Sequence, residues 1–420
     1  MVQEITASII CIGDELLIGQ TVNTNAAWMG RHLNAIGIRM ERTIVIADER
    51  EAIIGALGEA RTHVVLMTGG LGPTQDDITK EALCSFFHTR LVRIPQIEAH
   101  VATLFQRLGR EPLESNRAQA DLPAAATLIP NTRGTATGMW FEREGRVFIS
   151  MPGVPYEMQA MMEQEILPRL AEHFKPPAIV HRTILTTGLG ESHLADRLTA
   201  WEGSLASERI KLAYLPSPGI VKLRLSAYAE TDPDAAAMRI DRKVVELRKE
   251  IPQLIYGEGE ERLELVIGQL LSGRKESLAI AESCTGGSIM QMITSVPGSS
   301  VYFLGGSVSY ANVVKTMELE VPAAMIDEHG AVSREVVEQM AKGIRSRIGS
   351  TWSVATSGIA GPDGGSPDKP VGTVWMAVSG PIGVRSRKVI FAGSRELVIR
   401  QASIAALNML RLELMEAPSS

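Results

Sequence analysis

The hydrophobic pattern of the first part of the chain alternates between two periods. Thr6 to Ile12, Ile38 to Ile46 and His63 to Thr68 are short extended or apolar runs of the kind that form strands. Between them, Asn23 to Ile36 and Glu49 to Ala60 have the spacing of amphipathic helices. Strands that alternate with helices in this way predict a parallel sheet with helices on both faces.

A proline pair ends this region, and the pattern beyond it changes. Lys175-Pro176-Pro177 cannot continue a helix and is predicted to be a linker. Extended runs such as Ile179 to Thr187 then alternate with helical runs such as Asp234 to Lys249. We expect a small, separate α+β module here.

Strand–helix alternation restarts in the last part of the chain. Trp352 to Thr356 and Val371 to Val378 are apolar and β-branched, as central strands are. Further strands are predicted at Ser277 to Ala281 and Gly306 to Tyr310, and a helix that Ser333 caps is predicted up to Ile348. The predicted fold class is therefore multidomain α/β, with domains at residues 1–174, 175–257 and 258–420.

Composition and charge exclude some function classes. A net charge of -6 and a pI near 5.9 argue against a general nucleic-acid binder, so no direct nucleic-acid partner is expected. No apolar stretch is long enough to span a membrane, and no membrane partner is expected. Cys11, Cys84 and Cys284 lie far apart, which fits a reducing cytoplasm as the location.

The first candidate site is a glycine-rich turn that follows a predicted strand. Ligands of open α/β sheets bind at such strand ends, and we expect the N–H groups of Gly69, Gly70 and Gly72 to approach an anion there. Asp76 and Asp77 come next in the chain. Beside a phosphate they favour a bridging divalent cation such as Mg²⁺, although capping of the following helix also explains them.

A second acidic pair is predicted at the same sheet edge. Asp14 and Glu15 follow the first strand, and parallel strands end at one edge of a sheet. We therefore expect both carboxylates to serve as further metal ligands. Two strand ends with glycine and acidic residues favour a phosphate-and-metal site over two unrelated helix caps.

The second candidate site is a serine between a strand and a helix. Ser283 is followed by Thr285, Gly286 and Gly287, whose N–H groups are expected to face a developing oxyanion. Cys284 is the rival nucleophile, because a helix N-terminus would activate its thiol. Packing in the core is the competing interpretation of that cysteine.

A serine nucleophile needs a base, and Lys315 is the candidate in this part of the chain. Lysine acts as a base only where burial or a neighbouring cation lowers its pKa. Arg395 or Arg400 is expected to supply that cation or to bind a substrate phosphate. His329 is less suited, because it lies at a predicted turn. Gly358, Ala360 and Gly361 form a third loop at this edge, suited to a phosphate or ribose.

Residues 260 to 415 closely resemble the C-terminal domain of the CinA family, the nicotinamide-nucleotide amidases. The motifs that carry the resemblance are Ala281-Glu282-Ser283-Cys284-Thr285-Gly286-Gly287, Val296-Pro297-Gly298-Ser299-Ser300, Tyr310-Ala311-Asn312-Val313-Val314-Lys315, His329-Gly330-Ala331-Val332-Ser333, Gly358-Ile359-Ala360-Gly361-Pro362 and Lys369-Pro370-Val371-Gly372. The resemblance implies deamidation of nicotinamide mononucleotide to nicotinate mononucleotide and ammonia, without a cofactor. It makes Ser283 the nucleophile and Lys315 its base, with Tyr310 and Arg400 as helpers or phosphate contacts. Ser394 stands where the family often has Asp, and little consequence is expected.

Residues 1 to about 170 resemble the molybdopterin-binding fold of the MoaB/MogA family, in the version found in CinA proteins. The matching motifs are Gly13-Asp14-Glu15-Leu16-Leu17, Asn23-Thr24-Asn25, Thr68-Gly69-Gly70-Leu71-Gly72-Pro73-Thr74-Gln75-Asp76-Asp77 and Pro152-Gly153-Val154-Pro155-Tyr156-Glu157-Met158. The resemblance implies metal-dependent hydrolysis of ADP-ribose to AMP and ribose 5-phosphate. Asn25 and Thr74 then join the substrate-binding residues, and a monovalent cation is expected beside the divalent metal.

The middle segment resembles the KH-like module of the same proteins. It lacks a Gly-x-x-Gly loop, so RNA binding is not inferred from it. The family implies a homodimer. Two functions stay open: a bifunctional enzyme that processes both nucleotides, and a regulatory or competence-associated protein whose N-terminal domain binds a nucleotide or pterin without turnover.

Overall fold

The structure is a computed structural model that describes residues 4–72, 77–107, 109–177, 179–228 and 232–417. The predicted site residues Thr74 and Asp76 lie outside these ranges. In the described residues the strands are β1 (Thr6–Ile12), β2 (Arg39–Ile46), β3 (Val64–Thr68), β4 (Leu91–Arg93), β5 (Asp121–Pro123), β6 (Thr127–Ile129), β7 (Gly138–Arg143), β8 (Arg146–Met151), β9 (Ile179–Thr187), β10 (Ile210–Ser217), β11 (Ile220–Tyr228), β12 (Ile255–Glu258), β13 (Leu278–Glu282), β14 (Phe303–Val308), β15 (Trp352–Gly358), β16 (Thr373–Gly380) and β17 (Gly383–Ile390).

The helices of the described residues follow the same order. They are α1 (Asp14–Leu17), α2 (Thr24–Ala35), α3 (Arg50–Glu59), α4 (Thr79–Phe86), α5 (Pro95–Arg107), α6 (Glu114–Arg117), α7 (Pro155–Met161), α8 (Leu167–Phe174), α9 (Glu191–Leu205), α10 (Pro233–Glu250), α11 (Leu263–Arg274), α12 (Ser288–Thr294), α13 (Asn312–Leu319), α14 (Ala323–His329), α15 (Arg334–Ile348) and α16 (Arg395–Glu416). Across the described ranges, no helix is long and apolar enough to cross a membrane.

The first compact unit contains Met1–Val180 and Tyr228–Ala236. Its six-stranded sheet has the order β2-β1-β3-β8-β7-β6. The strands β2, β1, β3 and β8 run parallel, and β7 and β6 are antiparallel to their neighbours. β1 and β3 are buried along their whole length, because helices cover both faces of a parallel sheet. The parallel sheet predicted from the alternation of strands and helices is confirmed.

The second compact unit contains His181–Ala227 and Ala237–Ser420, so the predicted middle and C-terminal domains pack together. The buried guanidinium of Arg411 on α16 helps to join them. It donates to the backbone oxygens of Gln253 and Ile255, which lie at the end of the middle module. Burial lowers the pKa of this guanidinium, and the carbonyl oxygens satisfy its N–H groups.

The C-terminal part of this unit has a five-stranded sheet of order β14-β13-β15-β16-β17. The first three strands are parallel and the last two antiparallel. α11, α12 and α16 cover one face and α15 the other, each over its own apolar cluster. The carboxyl ends of β13 and β15 therefore meet at one edge, where the serine turn and the third predicted loop begin.

The bounds of β14 differ from the prediction. The sequence predicts a strand at Gly306 to Tyr310, whereas β14 covers Phe303–Val308. Beyond Val308 the chain leaves the sheet, and the backbone oxygens of Ser309 and Tyr310 accept hydrogen bonds from Nζ of Lys315. The departure of the chain from the sheet thus helps to form the site described next.

Candidate active site

Ser283 and Lys315 line the same cavity. Its volume is about 230 Å³, and the described residues around it are Ser283, Cys284, Tyr310, Asn312, Lys315, Ala331, Val332, Ser357, Gly358, Ala360 and Arg395. Ser283 directly follows β13, is 8% exposed, and donates its N–H to the Thr356 oxygen at 3.0 Å. The structure therefore brings together the nucleophile and the base that the sequence predicts.

Lys315 is almost completely removed from water. Its side chain on α13 is 1% exposed, and Nζ donates to Ser309 O at 2.9 Å and to Tyr310 O at 3.0 Å. Burial lowers the pKa of Lys315 below its ordinary value of 10.5. The expectation that Arg395 or Arg400 lowers this pKa is wrong, because the main cause is burial.

Two bonds to carbonyls suit a neutral amine. A neutral lysine has two N–H donors and one lone pair, and the two carbonyl oxygens take up both donors. The lone pair is then free to accept a proton. Such an amine is a general base beside a serine hydroxyl.

Glu282 organises the turn that carries Ser283. Its carboxylate is fully buried at the end of β13 and accepts the N–H groups of Gly287, Ile289 and Met290 at 3.0, 3.1 and 2.8 Å. Gly286 and Gly287 adopt positive φ angles of 61° and 97°, which only glycine adopts without strain. Glu282 thus fixes the first turn of α12 and, with it, the position of the neighbouring serine.

This arrangement corrects one expectation about the oxyanion. The N–H of Gly286 donates to Ser283 O and that of Gly287 donates to Glu282, so neither is available to a substrate. Thr285 is buried and its hydroxyl lies 2.7 Å from that of Thr356. Thr285, Gly286 and Gly287 are all missing from the described residues that line the cavity.

Cys284 lines the cavity but is a poor nucleophile. Its side chain is 5% exposed and belongs to the hydrophobic core. Burial raises the pKa of its thiol to about 12, so the thiolate is scarce at neutral pH. Since the thiolate is the reactive form of cysteine, the geometry favours Ser283.

Arg395 and Tyr310 form a pair at the rim of the cavity. Arg395 donates to the Tyr310 hydroxyl at 2.9 Å and to Gly361 O at 2.8 Å. The predicted helper Arg400 is not among the described residues that line the cavity. It is exposed on α16 and acts instead on Tyr256, whose pKa burial raises to about 12. Of the two arginines that the sequence predicts for this site, Arg395 is therefore the one that lines the cavity.

The third loop is only partly in the site. Gly358 and Ala360 line the cavity, whereas Gly361 contributes its backbone oxygen to Arg395. The sequence prediction missed four lining residues: Asn312, Ala331, Val332 and Ser357. Asn312, Ala331 and Val332 lie within motifs that carry the family resemblance, and Ser357 directly precedes one of them. Their closeness in sequence to predicted site residues was the signal that could have identified them.

The glycine-rich turn of the first unit is packed against protein. A side chain at Gly69 would clash with the backbone oxygen of Ile12, and one at Gly70 would clash with the Thr79 hydroxyl. The N–H of Gly69 donates to Met151 O at 3.1 Å, and that of Gly72 donates to Asp77 at 2.8 Å. The expectation that the N–H groups of Gly69 and Gly72 face an anion is therefore wrong.

Asn25 and Glu15 line a small cavity at this sheet edge. Its volume is about 100 Å³, and Thr68 and Gly153 also contribute to it. Asn25 donates its amide nitrogen to Gly153 O at 2.7 Å and to the Thr68 hydroxyl at 3.3 Å. Its amide oxygen is buried and has no hydrogen-bond partner in the structure as described. This oxygen can accept a hydrogen bond from a ligand.

A carboxylate that the sequence prediction missed lies near the same turn. Asp48 follows β2, and its Oδ1 is 3.1 Å from the position of a side chain at Gly70. The sequence did contain a signal for Asp48. This residue follows the extended run Ile38 to Ile46, which pairs with β1 in the sheet and so ends at the same edge.

The described residues do not by themselves form a metal site. Asp14 and Glu15 are exposed, and Asp77 accepts the N–H of Gly72. Within the described ranges, no three His, Cys, Asp or Glu side chains converge as metal ligands. The predicted ligand Asp76 lies outside those ranges. The predicted set therefore does not fit a metal without that residue.

Comparison with known proteins identifies relatives of all three parts of the chain. Residues 8–172 match the probable molybdopterin binding domain, 181–257 the damage-inducible protein CinA KH domain and 260–414 the CinA C-terminal domain. A CinA-like protein of Cytophaga hutchinsonii is 42% identical over 98% of this chain and 99% of its own length. A putative competence-damage inducible protein of Moorella thermoacetica is 39% identical over 96% and 98%, respectively. A crystal structure of the competence damage-inducible protein A from Klebsiella pneumoniae has 32% identity and covers 37% of this chain and 97% of its own, with a TM-score of 0.36.

Proposed function

The chain belongs to the CinA family, and from this premise we propose that its C-terminal domain hydrolyses the carboxamide of nicotinamide mononucleotide. The products are nicotinate mononucleotide and ammonia. The observation that carries the proposal is the shared cavity of Ser283 and the buried Lys315. The pyridine nucleotide as substrate comes from the family resemblance.

The reaction follows from the chemistry of these two side chains. The Ser283 hydroxyl attacks the amide carbon while the neutral amine of Lys315 takes its proton. Lys315 then returns this proton to the leaving nitrogen, and ammonia departs from an ester on Ser283. Lys315 then takes a proton from water, which attacks the ester carbon. As the bond to the Ser283 oxygen breaks, Lys315 returns that proton to the serine, and the acid leaves as its carboxylate.

Arg395 is assigned to the phosphate of the substrate. Its guanidinium lies at the cavity with five N–H donors, of which the structure engages one with Tyr310 and one with Gly361. The remaining donors suit a phosphate, which arginine binds through paired hydrogen bonds. Tyr310 is 60% exposed, so it lies where the substrate enters.

A comparison of two substrates tests this assignment. The full chain is incubated with nicotinamide mononucleotide or with nicotinamide riboside, which lacks the phosphate, and the pyridine products are separated by chromatography. The proposal expects nicotinate mononucleotide from the first, much less turnover of the second, and neither product with Ser283→Ala. Equal turnover of both substrates would refute phosphate recognition. Absence of any deamidation by the folded wild-type protein would refute the amidase itself.

We propose for the N-terminal domain the hydrolysis of ADP-ribose by water to AMP and ribose 5-phosphate. The observation that favours it is the buried amide oxygen of Asn25, an acceptor suited to a ribose hydroxyl or an adenine amino group. Dependence on a divalent cation such as Mg²⁺, and any monovalent cation, remains a prediction. Binding of a nucleotide or pterin without turnover is the alternative.

AMP formation from ADP-ribose distinguishes hydrolysis from binding without turnover. The full chain is assayed with Mg²⁺ or with EDTA, alongside Asn25→Leu. If the domain hydrolyses ADP-ribose, the wild type forms AMP, and Asn25→Leu forms it at least tenfold more slowly. Thermal unfolding of the variant is the control for folding, because the deamidase site belongs to the other compact unit and does not report on this one. Retained ADP-ribose binding with no AMP favours the binding protein.

A further inference from the structure

A second cavity lies inside the second compact unit, away from the residues of the candidate active site. Its volume is about 420 Å³, within the range of small-molecule sites, and it lies where the middle module meets the C-terminal domain. The ends of β9 and β10, with the turns that follow them (187–190 and 216–219), form one side. β17 and α16 of the C-terminal domain form the other.

The walls of this cavity are mainly apolar. Phe391 and Val389 line it from the end of β17, and Ala405, Met409 and Leu412 line it from α16. Flat aromatic and aliphatic surfaces of this kind accept a ring. In such a cavity, a few polar groups fix the orientation of the ligand.

Asn408 is the polar group that points to a ligand. Its side chain is 93% buried, being 7% exposed, and its amide oxygen accepts from Arg411 Nε at 2.9 Å. No acceptor for its amide nitrogen is found in the described part of the chain. That nitrogen lies 3.5 Å from the position of a side chain at Gly188, which also lines the cavity. Glycine at this position therefore keeps the amide donor open to the cavity.

Arg387 adds a positive charge to the same cavity. It lies on β17 two residues before Val389, so both side chains are on the same face of the strand. Its guanidinium makes no hydrogen bond or ion pair with the described residues. Glu191, at the start of α9, adds a carboxylate to the lining residues. Because like charges repel, an anionic group of the ligand is expected on the side of Arg387.

We propose that this cavity binds a small aromatic anion. The ring lies against Phe391 and Met409, an acceptor atom receives the amide N–H of Asn408, and the anionic group binds Arg387. The site shares no lining residue with the cavity of Ser283, so the proposal is independent of the amidase assignment.

Titration of the full chain with 8-anilinonaphthalene-1-sulfonate, an aromatic anion that fluoresces in apolar sites, tests the proposal. We expect saturable binding of one probe per chain. Arg387→Met should weaken it about tenfold, because a charge-assisted hydrogen bond is lost. Lys388→Met, the neighbour on the other face of the strand, is the matched control and should bind as the wild type does.

Filling the cavity provides a second, independent variant. Ala405→Phe should abolish binding, and Met409→Trp replaces it if thermal unfolding shows that Ala405→Phe does not fold. Binding that is unchanged in both Arg387→Met and the filled variant overturns the proposal, as does absence of binding to the wild type. Loss in the filled variant with an unchanged Arg387→Met supports the cavity but overturns the anion as its ligand.

Discussion

Burial of Lys315 controls the pH at which the proposed amidase can act. The base must be neutral, and burial places its pKa below 10.5. As the pH falls through this lowered pKa, Lys315 becomes protonated and loses the lone pair that accepts the proton of Ser283. Activity is therefore expected to be lost on the acidic side and gained on the alkaline side of that pKa.

The pH dependence of kcat/KM for nicotinamide mononucleotide measures this pKa in the free enzyme. We expect an ascending limb whose midpoint lies below pH 10.5. Thermal unfolding at each pH is the control for loss of structure. A rate that is flat, or that falls with rising pH across the whole range below 10.5, contradicts the role of Lys315 as base.

Arg395 and Arg400 are a matched pair of arginines on the same helix. Arg395 contacts Tyr310 and Gly361 at the cavity, whereas Arg400 does not line it. Arg395→Met should raise KM for nicotinamide mononucleotide at least tenfold, because a charge-assisted contact to phosphate is worth about 1.5–3 kcal/mol. Arg400→Met should change KM less than twofold. Steady-state kinetics measure both KM values. A larger rise in KM for Arg400→Met than for Arg395→Met would mean that Arg400 binds the phosphate.

The element that positions Ser283 is the turn between β13 and α12. Glu282 caps α12 through three N–H groups, so its charge stabilises the turn from inside the protein. Glu282→Gln keeps the shape but removes the charge. We expect it to lower the free energy of unfolding by about 2 kcal/mol, as loss of hydrogen bonds to a charged group does.

Urea unfolding of Glu282→Gln and Glu318→Gln measures this contribution. The Glu318 side chain is 41% exposed and pairs with Arg347 at 2.9 Å, so its replacement is expected to cost about 0.5 kcal/mol or less. Equal unfolding free energies for the two variants would mean that the cap does not hold the turn. The ratio of kcat values then shows whether the loosened turn also displaces Ser283.

The start of α16 explains why one departure from the family is tolerated. Ser394 stands where the family often has Asp, and its hydroxyl accepts the N–H of Leu397 at 3.4 Å as the N-cap. Ser and Asp are both favoured N-caps, because each has a short side chain that accepts an N–H of the first turn. Arg395, the next residue, therefore keeps its position.

Elements with a strong hydrophobic pattern could be predicted from the sequence, whereas one exposed edge strand could not. β1 was predicted with its observed bounds, because every residue in it is buried. β17 was missed, since Arg385, Arg387 and Lys388 interrupt its apolar positions and it lies at the edge of the sheet. A pattern that depends on burial is weak wherever one face of a strand is exposed.

The site was predictable in its residue types but not in its hydrogen bonds. Ser283 and Lys315 could be identified because their motifs are specific. The engagement of the Gly287 N–H by Glu282, and of the Gly72 N–H by Asp77, depends on how the folded turns close. The same holds for Arg395 over Arg400, since both lie on one helix and only folding shows which faces the cavity.

At the scale of the whole molecule, the two candidate sites lie in different compact units of one CinA-family chain. The sheet of each unit presents strand ends to a cavity, as open α/β sheets do. Both proposed substrates are products of NAD breakdown, so joining the two activities is chemically coherent. The central claim rests on Ser283 as the nucleophile of the C-terminal site.

Ammonia release from nicotinamide mononucleotide by the full chain tests that claim most directly. Three variants are compared with the wild type at saturating substrate, after thermal unfolding has shown that each is folded. The account predicts a loss of about 10³-fold or more in Ser283→Ala and of about 10²- to 10⁴-fold in Lys315→Met, with most activity kept in Cys284→Ala. Loss of activity in Cys284→Ala together with its retention in Ser283→Ala would contradict the account.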